Sequence, residues 1–421
     1  MYDQSFNAKS LERQIRKSDF TRLRKLSDEN YRAQIIEQSC DRSKYGMSNF
    51  DAFKLNKIGS KIVCKVVKYS DELFLRKLNN NLLELTRIRN VDRDSIIESI
   101  KTILKEGTEY RVYRLDLKSF YESVPINIVL DKIDAIRQLS IPTKAHIRSI
   151  LCAFTSTGNS GLPRGLSLSA TLAELIMRDF DEAIRSHPNV YLFSRYVDDI
   201  IIVSNGEENK RKFLRWIKEK LPTGLNLNPN KQATKERACL HKENYNTYSI
   251  ASTAKSMCFE FLGYEFIVTD PSKPGKKTPR EVSLDIAQSK IKKIKTRLIK
   301  SILDFNKNKD MQLLDSRIAF LCTNFSVIDS DRDRKRLAGI YHNYHQVDPT
   351  TSVALPELDN YLSKIISSGQ GSACDVFFMN TSDSQRRNLL RWSFVRGFNE
   401  KKYLSFSKAR LSDIKRCWTY A

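Results

Sequence analysis

At 421 residues, 40% hydrophobic and 29% charged, the chain has the material for a large core and two or three lobes, which excludes a disordered or fibrous protein. Its net charge of +23 points to a polyanionic partner. No stretch approaches the roughly 18 consecutive apolar residues of a membrane span, so no membrane partner is expected. Eight cysteines, at 40, 64, 152, 239, 258, 322, 374 and 417, form no CxxC pair and no His/Cys cluster. They read as reduced thiols of a cytoplasmic protein, and MYDQSFNAKSLERQIRK holds no apolar signal core.

In chain order, residues 1–60 form a basic helical region, with Lys9, Arg13, Arg16, Lys17, Arg22, Arg24 and Lys25 close together. Residues 61–269 form the next division. KIVCKVVKY reads as a strand, YRVYRLD as a strand ending at Asp116, and 126–188 as helices broken by the loop TSTGNSGLPRG. Residues 189–204 read as a hairpin with Asp198 and Asp199 at its turn, followed by a helix near 207–220 and strands closing with FEFLGYEF. DPSKPGKKTPR then reads as a solvated linker opening the helical division 270–421. Residues 271–309 carry twelve Lys/Arg against three acids. There Ile291, Ile294, Leu298, Ile299 and Ile302 share a helix face with the lysines mostly on the other, and Lys292, Lys293, Lys295 and Arg297 suit docking on a nucleic-acid duplex.

Asp116 alone reads equally as a helix cap, and Asp198–Asp199 as ordinary turn residues. A turn alone gives no reason for two acids between two apolar strands, where Asn-Gly serves better. Carboxylates at a core edge are costly unless cations neutralise them. Three around a pair of divalent ions suit in-line phosphoryl or nucleotidyl transfer.

The order DLKSFY, GLPRGLSLSATLAEL, YVDD, GLNLNPNKQ and FEFLGYEF, across roughly residues 60–266, resembles the palm of a reverse transcriptase. The resemblance implies an α+β right-hand polymerase with fingers, an antiparallel palm and a helical thumb. It implies that Asp116, Asp198 and Asp199 hold two Mg2+ ions, for which Mn2+ substitutes, with Asp199 the more peripheral. Tyr121 would lie beneath the incoming sugar and exclude a ribose 2′-hydroxyl. Arg164 and Gly165 would contact the nucleotide, and an arginine of TRIRNVDR (Arg87, Arg89 or Arg93, with Arg93 preferred) its phosphates. Lys231 would protonate the departing pyrophosphate, and Leu262 and Gly263 would hold the primer end. Arg164 stands where retroviral enzymes carry glutamine, placing a fixed charge beside the nucleotide, and Ala170 follows Ser169 where proline is usual.

The compact basic layout is similar to bacterial retron-like and defence-associated enzymes, and finer features resemble the first subunit of type 3 two-polymerase defence systems. That implies an RNA template, in particular a structured non-coding RNA, dNTPs, a DNA product, and a second reverse transcriptase or a second copy as partner. An RNA-templated RNA polymerase would share the chemistry, but YVDD and the bulky Tyr121 argue against it. A non-catalytic RNA-binding scaffold would show a lost carboxylate, and all three are present.

Overall fold

The computed structural model describes residues 2–47, 52–59, 61–89, 91–108, 110–228, 240–241, 256–269, 280–329, 334–369 and 371–418. They form two compact units, one from 1–103 and 108–244, the other from 104–107, 245–329 and 334–421.

The first unit begins with helices α1 (Ala8–Glu12), α2 (Lys17–Arg22) and α3 (Glu29–Tyr45). Asn7 caps α1 by accepting from the Ser10 amide, and Asp28 caps α3 by accepting from Asn30 and Tyr31. A hairpin of β1 (Phe53–Ile58) and β2 (Lys61–Val66) presents exposed Lys54, Lys57, Lys61 and Lys65. Then come α4 (Tyr69–Thr86) and α5 (Arg93–Leu104). The basic N-terminal segment is no separate appendage. Buried Arg76 of α4 bonds Asp19 of α2 and Glu72, while the Tyr69 hydroxyl donates to Asp19 at 2.7 Å. An ion network with every charge paired tolerates burial where a lone charge does not.

Strand β3 (Arg111–Asp116) leads to α6 (Phe120–Ser123), α7 (Ile126–Ala135), α8 (Ile141–Ser156) and α9 (Ser167–Arg185). The hairpin β4 (Val190–Tyr196) and β5 (Asp199–Ser204), α10 (Lys210–Lys220) and β6 (Leu240–His241) follow. Among the described residues the strands form one antiparallel sheet in the order β4-β5-β3-β6. Ile200, Ile201, Ile202 and Val203 are each 0% exposed, so this unbroken apolar run is covered on both faces. On α9, Leu168, Leu172, Leu175, Ile176, Phe180 and Ile184 recur at helical spacing and are buried.

The second unit opens with an antiparallel sheet of β7 (Ser256–Phe261), β8 (Tyr264–Thr269) and β9 (Glu281–Ile286). Next come α11 (Gln288–Asn308), α12 (Met311–Cys322) and the hairpin of β10 (Asn324–Asp329) and β11 (Arg334–Gly339). Helices α13 (Ile340–Tyr344), α14 (Ala354–Ser367), α15 (Ser372–Met379), α16 (Asp383–Leu389), α17 (Phe394–Asn399) and α18 (Lys408–Arg416) complete it. FEFLGYEF, expected to close the palm, clusters with these helices. One reason is Asp285 of β9, which accepts from Ser352, Val353 and Ala354 and so caps α14. Most of the expected linker lies outside the described residues. Its last residue, Arg280, is 2% exposed and donates to the Glu106 and Gly107 carbonyls, so it is packed rather than solvated.

Candidate active site

The sheet brings the three sequence-predicted carboxylates to one end. Asp116 ends β3 and is 5% exposed, and its register partner on β5 is Asp199. Directly opposed residues of an antiparallel pair share a face, and like charges so placed destabilise the sheet. Asp199, expected to be the more peripheral acid, is therefore the one in register with Asp116. Asp198 lies in the two-residue turn between β4 and β5.

That turn is strained. Val197 adopts φ 59°, a left-handed conformation that a β-branched side chain disfavours, typically by about 1–3 kcal/mol. Bonds on both sides hold it: Arg195 Nη1 donates to the Val197 carbonyl at 3.0 Å, and the Leu117 amide donates to the Asp198 carbonyl at 3.0 Å. Arg195 is 7% exposed and chelated by Glu174 (3.0 and 2.6 Å) and Asp181 (2.9 and 2.7 Å) of α9. Burial opposes its charge, but the two carboxylates outweigh burial and raise its pKa above the ordinary arginine value.

Sequence reasoning missed Asn228. Its Nδ2 donates to Asp116 Oδ2 at 2.8 Å and its amide to the Asp116 carbonyl at 2.8 Å, which orients the carboxylate. GLNLNPNKQ was the signal, read then only for Lys231, which lies outside the described residues.

Tyr121 is half-buried, and burial pushes its hydroxyl pKa up. The Arg164 guanidinium sits 4.8 Å from its ring centroid, a cation–π distance. Arg164 also donates to Glu122 through Nε at 3.0 Å and Nη2 at 3.1 Å. The charge expected to stand beside a nucleotide is thus paired with a carboxylate of α6. Burial would raise the Glu122 pKa, yet its bonds to Arg164 win and lower it.

The glycines of GLPRG serve close backbone approach. A Cβ on Gly161 (φ 73°) would lie 2.2 Å from the Tyr121 carbonyl oxygen, and one on Gly165 (φ 102°) 2.6 Å from that of Cys64. The Cys64 amide donates to the Arg164 carbonyl at 2.7 Å, tying β2 to this loop. A cavity of about 420 Å3 adjoins the turn, lined by Tyr121, Val197, Arg195 and Ala170 together with Arg87, Arg89 and Arg178. Arg93, the preferred phosphate contact, opens α5 and does not line it.

Other expected contacts belong to the second unit. Leu262 (φ 47°) and Gly263 (φ 89°) make the tight turn between β7 and β8, with both residues left-handed as a type I′ turn requires. On α11, Lys292 and Lys293 are exposed. Lys295 instead pairs with Glu357 at 2.6 Å, and Arg297 packs 5.4 Å from the Trp418 ring centroid, which removes both from the free cationic face.

Among the described residues no three His, Cys, Asp or Glu side chains converge into a metal-holding group. Mg2+ commonly binds through one or two carboxylates, with water and substrate phosphates completing its shell. The hard oxygen donors of Asp116, Asp198 and Asp199 fit that mode, and the opposed charges of Asp116 and Asp199 favour a cation between them.

Residues 42–266 match the family model for reverse transcriptase (RNA-dependent DNA polymerase), more than half of the chain. The protein belongs to the reverse transcriptase family, and its helices and antiparallel sheets have the α+β fold expected of that family's polymerases. A telomerase from Candida albicans, solved with a TWJ fragment of telomeric RNA, is similar over 88% of this chain at 12% identity and a TM-score of 0.34. This chain covers 64% of the telomerase chain, and so slight a likeness carries no weight. No curated protein matches.

Proposed function

We propose that the protein is an RNA-directed DNA polymerase. The observation that carries this reading is the placement of Asp116, Asp199 and Asp198 at one end of the sheet, beside a strained turn, within a reverse transcriptase domain. Asp116, oriented by Asn228, and Asp198, set by the Val197 turn, would hold the divalent ions. Those ions, when bound, supply charge neutralisation and align a primer hydroxyl with a dNTP α-phosphate. Tyr121, steadied by Arg164, would stand against the sugar. Arg87 and Arg89 line the adjoining cavity and would meet phosphates. Lys231 would protonate pyrophosphate, Leu262 and Gly263 would hold the primer end, and Lys292 and Lys293 would meet the duplex backbone.

The template is proposed to be a dedicated structured non-coding RNA, and the setting antiphage defence alongside a second reverse transcriptase or a second copy. The supporting features are the +23 charge and the resemblance to retron-like and defence-associated enzymes. The cysteines among the described residues are free thiols, in keeping with a cytoplasmic setting. Among the described residues no helix is long and apolar enough to cross a membrane.

Primer extension on an RNA template, supplied with dNTPs or rNTPs, tests the activity. Preferential dNTP incorporation supports the reading. Preferential rNTP incorporation would replace it with an RNA polymerase, and no incorporation from any primer would leave an RNA-binding scaffold.

A further inference from the structure

Two neighbouring cavities in the C-terminal unit, of about 530 and 390 Å3, share Asp315, Ser316 and Arg410. Arg410, in the first turn of α18, is half-buried and donates through Nε (3.1 Å) and Nη2 (2.9 Å) to the Ser316 hydroxyl. Ser316 sends its own proton to the Gln312 carbonyl at 2.8 Å, so its lone pairs orient the guanidinium without neutralising it. Asp315, the sole carboxylate lining either cavity, is already engaged. It accepts from Arg391 Nη2 at 2.9 and 3.1 Å and from Trp392 Nε1 at 2.8 Å. Among the described residues Arg410 has no carboxylate partner, whereas buried Arg76, Arg195 and Arg317 each have one. A partly desolvated charge held only by a hydroxyl is costly until an anion meets it.

The size and walls of the cleft narrow the choice of anion. The larger cavity exceeds what a lone phosphate fills and is walled by Trp392 and Phe406. Between residues 383 and 416 stand ten Lys/Arg against three acids, and Lys402 lies 4.9 Å from the Trp392 ring centroid. Cations alternating with aromatic rings suit a nucleotide, with its phosphate on the cation and its base or sugar on the ring edges.

We propose that this cleft binds a nucleotide phosphate of single-stranded RNA, with Arg410 as the phosphate ligand and Phe406 and Trp392 flanking the nucleoside. The site lies within the second unit and shares no residue with the carboxylate site of the first. It rests on the nucleic-acid reading of the protein but not on catalysis.

The test is photocrosslinking of the full-length protein to a short 4-thiouridine-substituted RNA, with crosslinked peptides mapped by mass spectrometry. Peptides spanning 390–410 should crosslink, and Arg410→Gln should lower their yield about tenfold, as expected for losing a charge-assisted contact. Arg410→Lys should retain part of the yield. Lys402→Gln, which changes only an exposed side chain, should also lower it. Competition by unlabelled RNA but not by AMP at the same concentration supports a strand in the cleft, whereas equal competition by AMP would identify a free nucleotide as the occupant and overturn the proposal. Absence of crosslinks in 390–410, or a yield unchanged in both Arg410→Gln and Lys402→Gln, overturns the proposal. Incorporation of dNTPs by the same samples is scored separately, so a failed polymerase reading leaves the crosslink result standing.

Discussion

Val197 holds a backbone conformation that its side chain disfavours, and Arg195 is what keeps it there. Arg195→Met would leave the half-buried Glu174 and Asp181 without their cation. Breaking a buried pair in this way costs about 3–5 kcal/mol, to be read as a lower denaturant midpoint. An unchanged midpoint would mean that the two acids find other partners. Tyr121 and Arg164 form a second residue-scale device. Tyr121→Ala and Arg164→Ala should each raise rNTP use relative to dNTPs, by no more than about 1–3 kcal/mol. An unchanged ratio in folded, active variants would assign the ring to packing alone. Glu122 has a lowered pKa, so its contribution is complete above the unfolded value, about 4.3. It is lost only as pH falls through the lower folded value, so sugar selection should not vary with pH near neutrality. Asp198 and Asp199 were legible as candidates because a turn alone gives no reason for two acids between apolar strands, and Asp116 because DLKSFY stands before YVDD in the order of a reverse transcriptase palm. The pairing of Arg164 with Glu122 was not, since residues 42 positions apart meet only through the fold of the loop.

Elements read from periodicity held where one face alone decided them. Helix α11 buries Ile291, Leu298 and Ile302 of the face its spacing implied, while Ile294 and Ile299 are only half-buried. Its polar face was misjudged, because Lys295 finds Glu357 62 residues away and Arg297 finds Trp418 across 121. Lys292→Gln with Lys293→Gln should flatten the salt dependence of duplex binding by about two units of slope. Lys295→Gln with Arg297→Gln should act on thermal stability instead. Equal effects of the two pairs on the slope would restore the face of three lysines and one arginine that the sequence implies. The GLPRG loop allows a similar comparison. Gly158 and Gly161 are both left-handed, at φ 80° and 73°, but a Cβ meets nothing within 4 Å at Gly158 and a carbonyl oxygen at 2.2 Å at Gly161. Gly158→Ala should cost roughly 1 kcal/mol from backbone strain, and Gly161→Ala distinctly more. Equal losses of melting temperature would show that the close approach is easily relieved.

At the scale of the whole molecule, composition raised the expectation of a polyanionic partner, and motif order the reverse transcriptase domain that the family model matches. The division into units was hidden, because the strands of FEFLGYEF are committed to the C-terminal unit by the long-range cap that Asp285 provides to α14. The surplus of positive charge over what one active site needs leads to the expectation of a dedicated RNA. Sequencing RNA crosslinked in cells that express the native locus should return one dominant species whose copy appears as DNA, whereas a smear of ribosomal and transfer RNA would contradict it. The most direct test of the account is Mg2+-dependent dNTP incorporation on an RNA template by the wild type, Asp116→Ala and Asp198→Ala, each checked for folding and RNA binding. The account predicts incorporation by the wild type alone, with RNA binding retained in both variants. Near-normal incorporation by either folded variant would contradict it.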